Sequence, residues 1–373
     1  MPVGSLPQVI ELAGDGRQRG RAHGELLRAA ITEAFGRWMD WLAQRSGMDP
    51  AQYIDIFLQE TDFAPAIQRW APDLLSEVQG IAEGANAPFG LTLAWQCMDE
   101  YWWHLNFRAA SQPTVPQGCS GFGVWGQGET ASLLCQNDDL PDYFDGAQCV
   151  LRMTYPNSEL EILAFTLAGM INQNGVNSYS TGVMVNTLYQ LDHSTGGLPA
   201  TFVTRRILES GTLEVAMEFV ARVRHASGMN YLLAGPHRAV CVECSANKVV
   251  ECVHPGDREF AIHTNHPLCN DDTGMYRSLL GPTAVEASIE TDRGGTSSRL
   301  STLNEELRNR PRPITPEDAK SVLRMAPVCV PRGSEGGFTV ACTVVELGRS
   351  PMMHVALGPP DVEPFYRFRI GRS

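Results

Sequence analysis

Apolar positions follow two different rhythms along this chain, and the change comes near residue 119. In "GELLRAAITEAFGRWMDWLAQRSG", Leu27, Ile31, Ala34, Trp38 and Trp41 recur at spacings of three and four. That is the stripe of one long amphipathic helix, with Gly47 as its stop. A second helix is predicted over "APDLLSEVQGIAEGA", opened by Pro72 and Asp73 and burying Leu74, Val78 and Ile81. The aromatic-rich "LAWQCMDEYWWHLNF" completes a mainly helical segment, 1–107, and a Pro-containing linker covers 108–118.

Beyond Cys119 the pattern becomes short apolar or β-branched runs: "CSGFGVWG", "ASLLCQN", "AQCVLRMTY", "ELEILAFTLAG" and "GVMVNTLY". Gly, Asn, Asp and Pro separate them, and several are apolar on both faces, as expected of strands covered on both sides. Helices are predicted around "ATFVTRRILESG" and "TLEVAMEFVARVRHASG". Strands follow in "NYLLAG", "RAVCVECS", "KVVECVH" and "EFAIHTN". A helical block near 296–325 carries the capping signal Thr315-Pro316-Glu317-Asp318. The tail, "FTVACTVVEL", "MMHVALG" and "FYRFRI", returns to strand. This order predicts an α+β chain of stacked sheets flanked by helical layers. The 1–118 segment has too little sheet of its own to stand alone, so segments 1–118 and 119–373 are expected to form one domain.

Composition adds exclusions. With 373 residues, 43% hydrophobic and 19% charged, the chain can build an ample core. A formal charge of −13 argues against nucleic acid or an anionic membrane as partner. No apolar run approaches the roughly 18 residues of a membrane span, and the opening "MPVGSLPQVIEL" has neither a basic nor an apolar leader region. The ten cysteines sit mostly in strand-like runs. Reduced thiols and a cytoplasmic location are the expectation. Cys241 and Cys244 would face opposite sides of a strand, so core filling rather than a redox or metal pair is expected of them.

The chemistry is sought at the seam "SQPTVPQGCSGFGVWGQG" (111–128). Cys119 is either a small buried residue opening a strand or a nucleophile whose own amino group is freed when the chain is cut before it. A cut after Gly118 would yield an α-amine of pKa about 7.7–8, partly neutral at pH 7 and one residue from the thiol. "CQNDDL" (135–140) places Asn137 and Asp139 at the end of a strand paired with that of Cys119, in a composition that also suits a plain turn. Asn186 and Asn265 each end a strand, in "GVNSYSTGVMVNTLYQ" and "IHTNHPL". An amide fixed there is an oxyanion donor or a turn cap.

In order and spacing these segments resemble the acyl-CoA:6-aminopenicillanic acid acyltransferase-like family, peptidase family C45 of the N-terminal-nucleophile (Ntn) hydrolases. The similarity runs over nearly the whole chain: "GDGRQRGRAHGELLRAAI", "GCSGFGV", "GVNSYSTGVMVNTL", "HTNH" and "TSSRL" (296–300). The resemblance implies a four-layer αββα sandwich of two antiparallel sheets and autocatalytic cleavage between Gly118 and Cys119. It implies Cys119 as nucleophile, Asp139 beside the free amine, Asn265 at the oxyanion and Asn186 lining the same hole. The family's acyltransferase has a Ser-Arg-Gly segment before the closing hairpin. Here the stretch reads "RGSEGGFTV" with Gly336 at the matching place, so no arginine role passes to Arg332.

The function expected is a self-processing cysteine amidohydrolase acting on a small-molecule amide, with no metal or other cofactor. Its two fragments should stay associated, and a higher oligomer is open. N-acyl transfer is the alternative, and an uncut, non-catalytic binding protein is the alternative from another class. A papain-like arrangement using His263 or His266, and a metal site of His263, His266, Cys269 and Asp271, are the remaining rivals. Tyr101, Trp102 and Trp103 either line an apolar acyl pocket or form a core patch.

Overall fold

The computed structural model describes residues 9–109, 118–128, 130–253, 259–292 and 295–371. The stretch 110–117, which carries most of the expected linker, lies outside the described residues. After strand β1 (Val9–Ala13) come seven helices: α1 (Gly16–Leu26), α2 (Arg28–Ser46), α3 (Pro50–Gln59), α4 (Phe63–Trp70), α5 (Pro72–Ala85), α6 (Phe89–Gln96) and α7 (Met98–Ala109).

Two sheets follow. The first has the order β1, β4 (Gln148–Thr154), β5 (Glu161–Leu167), β6 (Asn174–Asn177), β7 (Gly182–Thr187), β8 (Met229–Ala234), β9 (Ala239–Cys244), β10 (Val249–Cys252). The second has the order β11 (Phe260–His263), β2 (Cys119–Val124), β3 (Ser132–Leu140), β12 (Phe338–Leu347), β13 (Met352–Ala356), β14 (Tyr366–Arg369). Six further helices are α8 (Ala200–Leu208), α9 (Leu213–Arg222), α10 (Gly274–Leu280), α11 (Ala284–Glu290), α12 (Thr296–Asn309) and α13 (Pro316–Leu323). The chain is thus the expected α+β sandwich, helices covering both outer faces of two sheets that are antiparallel apart from the β1–β4 pair.

Parity along β2 explains the layering. Phe122 and Val124 join Leu303, Leu307, Ala319 and Val322 in the core beneath α12 and α13. Cys119, Gly121 and Gly123 therefore face the other sheet. A Cβ on Gly123 would come within 2.3 Å of the Ala239 Cβ, so glycine is what lets the sheets close there.

The long helix predicted over residues 24–47 is broken at Leu27 into α1 and α2, and Gly47 ends it in the left-handed conformation. Its buried stripe is Ile31, Ala34, Phe35, Trp38 and Leu42, while Leu27 and Trp41 are only half-buried. Leu74, Val78 and Ile81 of α5 are fully buried, and Thr315 caps α13 in a reciprocal capping box. One expectation is overturned. Cys252 and Cys269 form a disulfide while the other eight cysteines are free, because β10 and the loop after β11 converge although the two thiols are 17 positions apart in sequence.

Helices α1 and α5 pack backbone to backbone. A Cβ on Gly20 would meet the Glu77 carbonyl oxygen at 1.9 Å. Close approach brings Arg19 within 2.7 Å of the Glu77 carboxylate, and Arg205 of α8 reaches the same carboxylate at 3.1 Å. All three side chains are buried, so one carboxylate joins α1, α5 and α8. We expect Gly20→Ala to cost about 1–3 kcal/mol, as overpacking typically does, read as a lowered melting temperature. An unchanged melting temperature would show that the seam can open.

Candidate active site

Cys119 opens β2 directly opposite Asp138 of β3, with Ser120 opposite Asn137. It is 5% exposed. Burial pushes its thiol well above the usual value, and the Asp138 and Asp139 carboxylates add to this; the Asp139 backbone N–H and Arg299 act the other way. A thiol so placed is neutral and needs a base to become a nucleophile.

The residue before it is held as tightly. A Cβ on Gly118 would lie 1.9 Å from Oδ1 of Asn265. The Asn265 carboxamide therefore rests against the Gly118 α-carbon, leaving space for no side chain there.

Three side chains close around this junction. Arg299, in the first turn of α12, donates through Nη1 to the Cys119 carbonyl (2.7 Å) and the Ser120 hydroxyl (2.9 Å), and through Nη2 to Asn265 Oδ1 (3.0 Å). Asn186, near the end of β7, donates to the same Cys119 carbonyl at 3.0 Å and accepts from Asn230 at 2.9 Å. Asn265 donates its amide to the Thr187 carbonyl at 3.1 Å. Its backbone N–H donates to the Thr296 hydroxyl at 2.9 Å, which ties the loop after β11 to the start of α12. The structure thus brings Gly118, Cys119, Asn186 and Asn265 together.

The two aspartates divide by parity. Asp138 faces between the sheets, where Asn174 donates to one oxygen at 2.9 Å and the other oxygen has no hydrogen-bond partner. Asp139 points to the α12 side, accepting from Thr339 at 2.5 Å, again with one oxygen unpartnered. Burial raises both; Asp139 reaches about 7, with Arg299 and Thr339 opposing the shift. Asn137 instead holds α13, donating to the Leu323 and Val328 carbonyls at 2.8 and 2.9 Å.

Sequence reading did not single out Arg299, Asp138 or Asn174. "TSSRL" was a visible signal for the arginine, but its reach to residue 119, 180 positions away, is a tertiary fact.

The aromatic run splits. Tyr101 and Trp102 belong to the core and hydrogen-bond Tyr143 (2.6 and 3.1 Å), whereas Trp103 stacks on His193 with ring centroids 4.7 Å apart. The rival metal set does not converge. His263 is bonded to Glu243 at 2.8 Å, His266 to Thr296 at 2.9 Å, and Cys269 is in the disulfide. Glu243 also accepts backbone N–H groups from Leu268, Cys269 and Asn270, which ties down the loop bearing Asn265.

The family model for acyl-coenzyme A:6-aminopenicillanic acid acyl-transferase matches residues 125–329, over half of the chain. The chain belongs to this family. The match spans Asp138, Asp139, Asn186, Asn265 and Arg299 and begins six residues beyond Cys119. No curated protein sequence matches the chain.

Solved structures similar to this acyl-transferase family member include a Caenorhabditis elegans N-acylethanolamine-hydrolyzing acid amidase ortholog (14% identity, 62% of this chain and 93% of that one, TM-score 0.44). A penicillin V acylase from Agrobacterium tumefaciens is similar at 15% identity, over 68% of this chain and 86% of that one, with a TM-score of 0.44. A conjugated bile acid hydrolase from Clostridium perfringens is similar at 10% identity, over 68% and 98%, with a TM-score of 0.39. Among the described residues no helix is long and apolar enough to cross a membrane.

The raised pKa of Asp139 has a definite sign. A carboxyl that holds its proton more tightly when folded loses stability to the unfolded state as pH rises from about 4 towards 7. Asp139→Asn should therefore raise the melting temperature more at about pH 8 than at about pH 4.5. Equal gains at the two pH values would show that Asp139 does not titrate in this way.

Proposed function

We propose that this chain is a self-processing cysteine amidohydrolase that cuts itself between Gly118 and Cys119 and then hydrolyses a small-molecule amide. The observation that carries the reading is the Asn265 carboxamide seated on Gly118, the residue whose carbonyl the Cys119 thiol must attack. In processing, the Cys119 sulfur adds to that carbonyl and the Gly118–Cys119 peptide nitrogen leaves as the α-amine of Cys119. Water then hydrolyses the thioester, giving Gly118 a carboxylate.

In turnover the freed α-amine takes the thiol proton and the sulfur attacks the substrate acyl carbon. The oxyanion is met by the Asn265 amide, with Asn186 lining the same hole. The leaving amine departs with the proton from the α-ammonium, and water releases the acid. Asp139 is the carboxylate assigned to the α-ammonium on resemblance. Asp138, opposite Cys119 on the same side of the sheet and with one oxygen unpartnered, is the second candidate to receive it. Arg299 fixes the Cys119 carbonyl and the Asn265 amide.

Family membership keeps a second acceptor in view: an amine in place of water would make the same thioester the intermediate of an N-acyltransferase. The segments 1–118 and 119–373 should stay associated, since β1 pairs with β4 and α7 buries Tyr101 and Trp102 in the common core.

Intact-mass measurement tests the cut. Wild type should give two chains, the larger beginning Cys-Ser-Gly-Phe-Gly, and Cys119→Ala one uncut, inactive chain. A single uncut chain with full activity sinks the proposal.

Asn265→Ala, assayed on molecules confirmed as cut, should lower kcat about 10²–10³-fold, the usual cost of one oxyanion donor. Near-normal kcat with only a lower melting temperature would return Asn265 to a purely structural role.

A further inference from the structure

The oxyanion asparagine is itself held by something. Its amide nitrogen Nδ2 donates to the carbonyl of Thr187, the last residue of β7. The hydroxyl of Thr187 donates in turn to Oδ1 of Asp99 at 2.5 Å. Asp99 lies in the first turn of α7 and is 5% exposed, so this acceptor is screened from water and its hydrogen bond is correspondingly directional. The next residue, Glu100, anchors the same turn elsewhere, accepting from the Ala200 N–H at 3.0 Å and from the Ser227 hydroxyl.

Thr187 also follows Asn186, whose amide holds the Cys119 carbonyl. The end of β7 thus touches both asparagines of the site, and Asp99 grips that end from the N-terminal segment. Burial raises the Asp99 carboxyl to about 6, with the Thr187 hydrogen bond pulling it back down.

We infer that Asp99 is a positioning residue for the acyl-transfer step, acting through Thr187 to orient the Asn265 amide. One Nδ2 hydrogen is committed to the Thr187 carbonyl, which leaves the other in a fixed direction for the oxyanion. The inference rests on the proposed cysteine reading, and it gives the 1–118 segment a part in the chemistry that core filling alone would not require.

Self-cleavage supplies the assay without any external substrate. Precursor is made by cell-free translation, and the 1–118 and 119–373 fragments are timed by intact mass. Thr187→Val, which keeps shape and loses the donor, should slow cleavage about tenfold, the equivalent of one ordinary hydrogen bond. Asp99→Ala should slow it by a similar factor, and the double variant should be no slower than either single one. Thr187→Ser, which restores the hydroxyl, should recover the rate.

Thr187→Val cleaving at the wild-type rate overturns the inference. So does failure of Thr187→Ser to recover a slowed rate, because the hydroxyl would then not be the cause. Additive slowing in the double variant overturns it as well. Should Thr187→Val fail to fold, Asp99→Ala decides: cleavage slowed about tenfold supports the inference and the wild-type rate overturns it. A wild-type precursor that never cuts removes the cysteine reading itself, whereas a cutting wild type with an indifferent Thr187→Val removes the relay alone.

Discussion

A single guanidinium organises this site. Arg299 is 2% exposed, and its nitrogens reach the Cys119 carbonyl, the Ser120 hydroxyl and the Asn265 amide oxygen. Burying a charge is expensive unless it is compensated. Compensation here comes from those three oxygens and from the fields of Asp139 and Asp292, which oppose the lowering of its pKa by burial. The strand start, the asparagine loop and the first turn of α12 are thereby drawn to one point. Thr296 reinforces it, accepting from the Asn265 N–H and donating to the Thr264 hydroxyl. Moving any one of these elements would strand a buried charge or a buried carbonyl.

That arrangement shows what can be read from a linear sequence and what cannot. Gly118-Cys119 at the change of rhythm was legible because composition shifts abruptly there. Asn186 and Asn265 were legible because each closes a run of apolar residues. Local rules also carried the capping box at Thr315 and the αL stop at Gly47. Which of two adjacent aspartates faces the sulfur's side of the sheet was not legible. That depends on strand parity, and one residue of register flips every side chain. Strand β1 escaped notice because five residues at a sheet edge carry little periodic signal, and its partner β4 lies far along the chain.

The cysteines make the same point from the other side. Composition and chain length spoke for ten thiols, and eight are free and buried. The Cys252–Cys269 bond arises where β10 meets the loop after β11, beside the Glu243 carboxylate that gathers that loop's N–H groups. Two devices of different chemistry thus restrain the segment bearing Asn265. The aromatic run was similarly divided by tertiary packing, since consecutive helical residues point about 100° apart. Tyr101 and Trp102 could therefore enter the core while Trp103 turned to His193.

The parallel pairing of β1 with β4 has a consequence for how such a molecule ages. Before any cut, the edge strand and the α1–α7 layer reach their places as part of one continuous chain, so assembly is unimolecular. If the chain is cut at 118–119 as proposed, the same native structure could be regained only by two separate polypeptides meeting. Refolding would then be second order and dependent on concentration. At low concentration the lifetime of such a cut molecule would follow its rate of unfolding more closely than an equilibrium free energy.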